Sequence, residues 1–289
     1  MPEIQQPPQS TADTRRFQAD LLAVCGVFRV VPSARPMGAV SSRRVSGFDV
    51  ASVTTNARAI ERDARDARRD HDPYYFLIQQ LSGIAHMWHH DRRAQVGPGD
   101  FFLVSSTRPA LFQYEGVSVQ ASLHLPRATM AEAFGHHPSA GLHLPAGSVM
   151  GRALNRALNR LDDSPDEIIE LLAISARNAE DRDLRLTDLA LRLIERRAAD
   201  PGFGPAALAE SLDVSLRGLQ RALSAEGVSA SAVIQDQRMR SVRTLLRARP
   251  GMTIAACAEA AGFPDISRIT REFRAQHGLT PGQFRATPT

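Results

Sequence analysis

Two rhythms of apolar and polar residues run along the chain and meet close to Pro126. Between Gly26 and Leu125, short apolar runs are separated by Gly, Pro, Asp and Ser, the punctuation of a β domain. Val117, Val119, Ala121, Leu123 and Leu125 alternate with Ser118, Gln120, Ser122 and His124, which predicts a strand with its apolar face buried. Tyr74–Leu81, Ile84–His90 and Phe101–Ser105 are further predicted strands, with turns at Ser82-Gly83 and Gly97-Pro98-Gly99-Asp100. A sandwich or barrel of about eight strands is expected. Beyond Pro126 the spacing becomes helical, with Leu154, Leu158 and Leu161 on one face. Ser164-Pro165-Asp166-Glu167 opens a second helix as cap, first-turn proline and returning acid. The broad apolar face of that helix, from Ile168 to Ile174, packs on its own domain or on a copy of itself.

Asn178–Asp183 is short, charged and free of large apolar residues, and is the expected domain boundary. The chain therefore divides into a disordered segment over 1–20, a β-rich domain with trailing helices over 21–180, and an all-α domain over 184–287. The fold class is α+β in two domains.

From Leu184 onward a pattern repeats after about fifty residues. Ala209-x-x-x-Asp213-Val214, Leu219-Gln220-Arg221 and Leu223 are matched by Ala258-x-x-x-Gly262-Phe263, Ile269-Thr270-Arg271 and Phe273. Each part suits a helix-turn-helix. Two helices that cross closely need a small contact residue, Ala209 or Ala258. Four residues later the chain turns with positive φ, which Gly262 adopts freely and Asp213 tolerates. Val214 and Phe263 plug the core, and Leu219 with Leu223, or Ile269 with Phe273, gives the second helix a buried edge. Ser215 and Asp265 stand at N-cap positions. The expected units are 205–226 and 253–277, joined by one stiff helix over 229–248 that carries Arg238, Arg240, Arg243 and Arg247.

The outer edges hold Arg217, Gln220 and Arg221 in the first unit, and Ser267, Arg268 and Arg271 in the second, with Arg274 further along. Arginine pairs bidentately with guanine and glutamine with adenine, so these residues suit base reading in a major groove. Ser215, Arg268, Thr270 and Arg274 are placed on phosphate. Two such helices held about 34 Å apart would enter successive turns of a duplex.

Charge alters this picture little. All 35 basic residues are arginine, and residues 184–289 hold 15 of them against 10 acids, leaving 20 against 21 before. The excess favours a polyanion partner but is small. Cys25 and Cys257 are far apart, which removes a disulfide framework and a cysteine-based zinc site. No secretory signal or membrane span is apparent, so the expected location is the cytoplasm. His86, His89, His90 and His124 all fall in predicted strands and raise the alternative of a metal-dependent enzyme. Alternation, however, splits His89 from His86 and His90. Trp88 shares a face with His86, and the two are the candidates for one wall of an effector pocket. No cofactor is required.

The segment Leu184–Arg285 resembles the DNA-binding domain of AraC/XylS-type transcriptional regulators. The matching stretches are Pro205–Leu212, Ser215–Leu223, Ile254–Phe263 and the closing run Gly278-Leu279-Thr280-Pro281-Gly282-Gln283-Phe284-Arg285. The resemblance implies a seven-helix domain whose base-reading positions align with Arg217, Gln220 and Arg221, and with Ile266, Ser267 and Arg271. Asp213 replaces the usual glycine, which slightly weakens the first turn. Ile266 stands where a polar reader is common and the turn before Ile269 is one residue longer, so the first unit is expected to set most of the specificity. Less specifically, Val96–Leu103 resembles the cupin-like sensor domain of the same family. The implied partners are promoter DNA, a small organic effector, RNA polymerase and a second copy of the chain, with activation favoured over repression. The alternatives are a metal-dependent cupin-type enzyme fused to a DNA-binding tail and a ligand-free architectural dimer.

Overall fold

A computed structural model describes residues 14–69, 74–89, 91–134, 140–163, 165–176, 185–263 and 269–286. The chain falls into two compact units, Met1–Asp183 and Leu184–Thr289. The boundary expected at 178–183 and the cap expected at Ser164 lie outside the described residues.

The first unit opens with a correction. Disorder was expected over 1–20, yet Thr14–Cys25 form helix α1, with Phe17, Leu21 and Cys25 buried. Over 14–20 Phe17 is the one large apolar residue, a weak local signal, and the contacts that hold this helix are distant in sequence. The Phe17 ring lies where a Cβ on Gly38 would sit, 2.4 Å from its Cγ, so only glycine leaves room for it. Gln18 bridges the ends of the loop that follows, accepting from Val30 N at 2.9 Å and donating to Phe28 O.

Among the described residues nine strands form one antiparallel sheet: β1 (Arg29–Val31), β2 (Gly38–Val45), β3 (Phe48–Thr55), β4 (Ala59–Arg62), β5 (Tyr74–His89), β6 (Arg92–Val96), β7 (Phe101–Ser105), β8 (Ala110–Pro126) and β9 (Leu142–Leu144). A short helix, α2 (Ala64–Arg69), lies between β4 and β5. β8 is the hub, pairing with β3, β4 and β5. The turn expected at Gly97–Asp100 forms, with Asp100 Oδ2 accepting from Gly97 N at 3.0 Å.

Two expectations about these strands are overturned. Ser82-Gly83 is not a turn, because β5 runs on through it with register shifts against β8 on either side of Ser82. Gly83 takes φ +78, and a Cβ there would meet Val117 O at 2.4 Å. A bulge of this kind transfers side chains from one face of a strand to the other. Phe76 and Ile78 face the inner core before it, and Ala85 and Met87 face it afterwards.

The second reversal is in β8. Its inner side carries Ser118, Gln120, Ser122 and His124, all buried, while Val117 is 52% exposed and Val119 and Ala121 are half-buried. The apolar set faces outward. Its end, Leu123 and Leu125, is buried on the side where α3 (Arg127–Phe134) packs on β5 and β8. Helices α4 (Val149–Asn159) and α5 (Asp166–Ala176) complete this layer, and α5 packs on α3 and α4. Ile168, Ile169, Leu171, Leu172 and Ile174 are all buried within the chain itself, which favours the first of the two packings expected for that face.

The second unit contains seven helices among its described residues: α6 (Leu186–Arg197), α7 (Pro205–Ser211), α8 (Leu216–Ala225), α9 (Ala230–Ala248), α10 (Ile254–Ala260), α11 (Ile269–His277) and α12 (Pro281–Ala286). Small residues set the helix crossings, with Ala209 and Ala258 both buried at their positions on α7 and α10. Cys257 is fully buried in the core that α9 shares with α10 and α11, a packing role. Before α12, Thr280 and Gln283 cap each other: Thr280 N donates to Gln283 Oε1 at 3.0 Å and Gln283 N to Thr280 Oγ1 at 3.3 Å.

Candidate functional site

The two repeats turn in the same way at atomic detail. Helix α7 ends at Leu212 with φ −90 and ψ 0, and α10 ends at Ala261 with φ −87 and ψ 0. The next residues enter the left-handed region, Asp213 at φ 52 and Gly262 at φ 83. Val214 N then donates to Ala209 O, and Phe263 N to Ala258 O, both at 3.0 Å. Asp213 N donates to Glu210 O at 3.0 Å, and Gly262 N to Glu259 O at 2.9 Å. This paired closure satisfies carbonyls that a helix end otherwise leaves open. Gly262 is constrained further, since a Cβ would lie 2.5 Å from the carbonyl oxygens of both Ala198 and Ala199. The turn of the second repeat thus packs directly on the end of α6.

After the first turn, Ser215 caps α8 by accepting from Gly218 N at 3.0 Å. Leu219 and Leu223 bury one edge of this helix. Arg217, Gln220 and Arg221 are exposed on the rest of it, and their side chains bond to no other described residue. Their donors are open to a partner. Leu216, at the first turn of α8, is also 41% exposed, an apolar contact beside the polar ones that the sequence reading passed over.

On α11, Ile269 and Phe273 are buried and Thr270, Arg271 and Arg274 are exposed. Ile266, Ser267 and Arg268, with the cap expected at Asp265, lie outside the described residues. Glu272 accepts from Gln235, and Gln276 Nε2 donates to Asp236 Oδ1 at 2.7 Å, so α11 is tied to the connecting helix α9.

The arginines of α9 have different fates. Arg240 pairs with Asp236 at 3.2 Å, and the Arg247 guanidinium lies 4.7 Å from the Phe284 ring centre. Arg243 is exposed. Arg238, grouped with them in the sequence, is only 7% exposed and donates to Ala198 O at 2.7 Å and to Asp200 O and Phe203 O at 2.9 Å. It closes the loop between α6 and α7.

The first unit holds a small, partly open pocket with about 40 Å³ of free space, with Val53, Ile60, Phe76, Ile78 and Phe112 on its sheet side and Leu21 and Cys25 of α1 on the other. Neither Trp88 nor His86 lines it. The bulge at Gly83 puts both on the outer face of β5, where their rings are 6.2 Å apart and His86 Nε2 meets Glu115 Oε1 at 2.5 Å. His89 Nε2 accepts from Ser105 N at 3.2 Å, while His124 packs edge-on to Phe76 at 4.8 Å, and His90 lies outside the described residues. Among the described residues no three His, Cys, Asp or Glu side chains come together as a metal cluster would require. Among them, too, no helix is long and apolar enough to cross a membrane.

Comparison with known proteins agrees with this division. The helix-turn-helix domain family matches residues 208–287, and the AraC-binding-like domain family matches residues 23–191, more than half of the chain. Transcriptional activator NphR of Rhodococcus sp is 24% identical over 269 residues, covering 84% of this chain and 79% of NphR. HTH-type transcriptional regulator VirS of Mycobacterium tuberculosis is 32% identical over 104 residues, 36% of this chain, which spans 30% of that relative. Among solved structures, the AraC-like transcriptional activator CuxR is similar at 15% identity and a TM-score of 0.45, over 87% of this chain and 98% of CuxR. With an AraC-binding-like domain followed by a helix-turn-helix domain, the chain belongs to the AraC-type family of DNA-binding transcriptional regulators.

Proposed function

We propose that the chain activates transcription by reading promoter DNA with α8 and α11, and that a small organic effector bound in the first unit governs this. The observation that carries the reading is the matched pair of turns at Asp213 and Gly262, each presenting a helix with one buried edge and one arginine-bearing edge. Arg217, Gln220 and Arg221 read bases in one groove segment. Arg271, with Ile266 and Ser267, reads the next, Ile266 against a thymine methyl. Ser215, Arg268, Thr270 and Arg274 hold phosphate. Activation, rather than repression, is supported by the relatives NphR and RhrA, both described as transcriptional activators. The full assembly is a homodimer that contacts RNA polymerase in the cytoplasm, and effector acts by shifting the population toward the arrangement that fits its half-sites.

Selection of duplexes from a random pool by the full chain tests the reading. Within each half-site, two preferred blocks about 10–10.5 base pairs apart are expected. A single block, or no sequence preference, would refute two recognition helices. The regulatory half fails if no effector that binds the first unit alters promoter affinity or transcript yield.

A further inference from the structure

The inner face of β8 is polar where a barrel core would ordinarily be apolar, and its side chains are linked. Tyr114 OH donates to Gln120 Oε1 at 3.3 Å, Gln120 Nε2 to Gln80 Oε1 at 2.8 Å, and Gln80 Nε2 to Ser118 Oγ at 2.7 Å. Gln80 and Ser118 are fully buried, and Gln120 nearly so. This network reaches the cavity at Tyr114 and Gln120, and Ser122 lies beside them on its wall. Ser122 is 7% exposed and its hydroxyl bonds to no described residue. Buried hydroxyls ordinarily find a partner, and this one faces a space instead.

We propose that the cavity beneath α1 takes a small uncharged molecule with an apolar body and one hydrogen-bonding group, the body against Phe76, Ile78 and Phe112 and the polar group on Ser122 and Gln120. This rests on the reading of the first unit as an effector sensor. No lining side chain is charged at neutral pH: burial pushes the Cys25 thiol up to about 12 and the Tyr114 phenol higher still. Arg62, whose guanidinium lies 4.1 Å from the ring centre of the lining Phe28, is committed to the carbonyls of Val27, Ser106 and Cys25. A carboxylate or ammonium would therefore lose its hydration with no direct ion pair in return.

Size identifies the wall that yields. The space of about 40 Å³ is close to one water's share of liquid volume, roughly 30 Å³, while a dry cavity of about 150 Å³ is needed for a benzene ring. The sheet side is tied by strand hydrogen bonds. The α1 side is a single helix that inserts Leu21, so the ligand makes room by displacing α1.

The test is thermal denaturation of the full chain with three probes of one ring size: benzyl alcohol, toluene and benzoate. Benzyl alcohol, tenfold above its Kd, is expected to raise Tm by about 3 °C, and benzoate to leave it unchanged. Leu21→Ala, which enlarges the space, should bind both neutral probes more tightly. Ser122→Ala breaks no bond within the described residues, so it folds, and it should bind benzyl alcohol about three- to tenfold more weakly while leaving toluene as before. Stabilisation by benzoate would overturn the uncharged class and leave the sensor reading standing. No response to either neutral probe in wild type and Leu21→Ala would overturn the site. Binding by the cavity with unchanged promoter affinity would instead refute the sensor reading.

Discussion

Arg238→Met removes a charge that the sequence groups with Arg240, Arg243 and Arg247 on the connecting helix and the structure places inside the second unit. The guanidinium makes three hydrogen bonds of 2.7, 2.9 and 2.9 Å to carbonyls of Ala198, Asp200 and Phe203. Hydrogen bonds from a charged donor contribute about 1.5–3 kcal/mol each, offset in part by the cost of burying the cation. Leaving three carbonyl acceptors unpaired, at about 1–3 kcal/mol for each that stays dry, is therefore expected to cost about 3–5 kcal/mol in all. With a urea m value of about 1–3 kcal/mol/M, the midpoint of the second unit should fall by at least about 1 M. Salt dependence separates this role from DNA contact. Each phosphate contact contributes about 0.9 to the slope of log K against log salt. Arg238→Met, measured on the folded fraction, should leave that slope unchanged. A slope reduced by about one, with stability within about 1 kcal/mol of wild type, would show that Arg238 binds phosphate and would refute the structural assignment.

Other outcomes follow from the same geometry. Arg221→Ala and Arg271→Ala should each weaken specific binding by about 1–3 kcal/mol and relax preference at one base pair, measured by competition between duplexes; weakening that is uniform across sequences would mean phosphate contact only. Asp213→Gly relieves a left-handed non-glycine residue and should stabilise by about 0.5–1 kcal/mol in urea titration, whereas Gly262→Ala meets two carbonyls at 2.5 Å and should destabilise by more than that. His124 is lowered to about 4 by burial, against an unfolded value near 6.5, so between these pH values the unfolded chain binds the extra proton. Its contribution is present in full above pH 6.5 and is lost on acidification, by about 2 kcal/mol between pH 6.5 and 5. His124→Phe should flatten that part of the stability profile, and an unaltered profile would show that His124 does not carry it.

The DNA-facing unit was legible because its determinants are local. A small residue, a turn residue and an i, i+4 apolar edge act within about twenty residues, and their recurrence supplied its own check. Asp213 and Gly262 adopt the positive φ that their spacing implied, and Thr280-Pro281-Gly282-Gln283 forms its capping box. The side chains on the exposed edge followed from the helical period alone. In the first unit, alternation identified strands but not which face turns inward. Ser118, Gln120, Ser122 and His124 alternate as regularly as the valines and leucines between them, and period two is symmetric under exchange of the faces.

The sequence by itself determined what depends on neighbours along the chain: the helix-turn-helix repeat, the cap at Ser215, the turns at Asp213 and Gly262, and the exposed arginines of α8 and α11 among the described residues. Tertiary structure decided what depends on distant partners. The bulge at Gly83 forms against β8 and moves Trp88 and His86 to the outer face, a change of register that no count along β5 reveals. The helix over 14–25 exists because Gly38 leaves space for Phe17 and Gln18 spans a loop end, both outside the helix. Arg62 and Arg238 bond to carbonyls of residues 35 to 44 positions away and thereby become core residues. In a chain whose every cation is arginine, composition cannot distinguish such buried residues from those on α8, because a guanidinium serves equally well against a backbone carbonyl or a base.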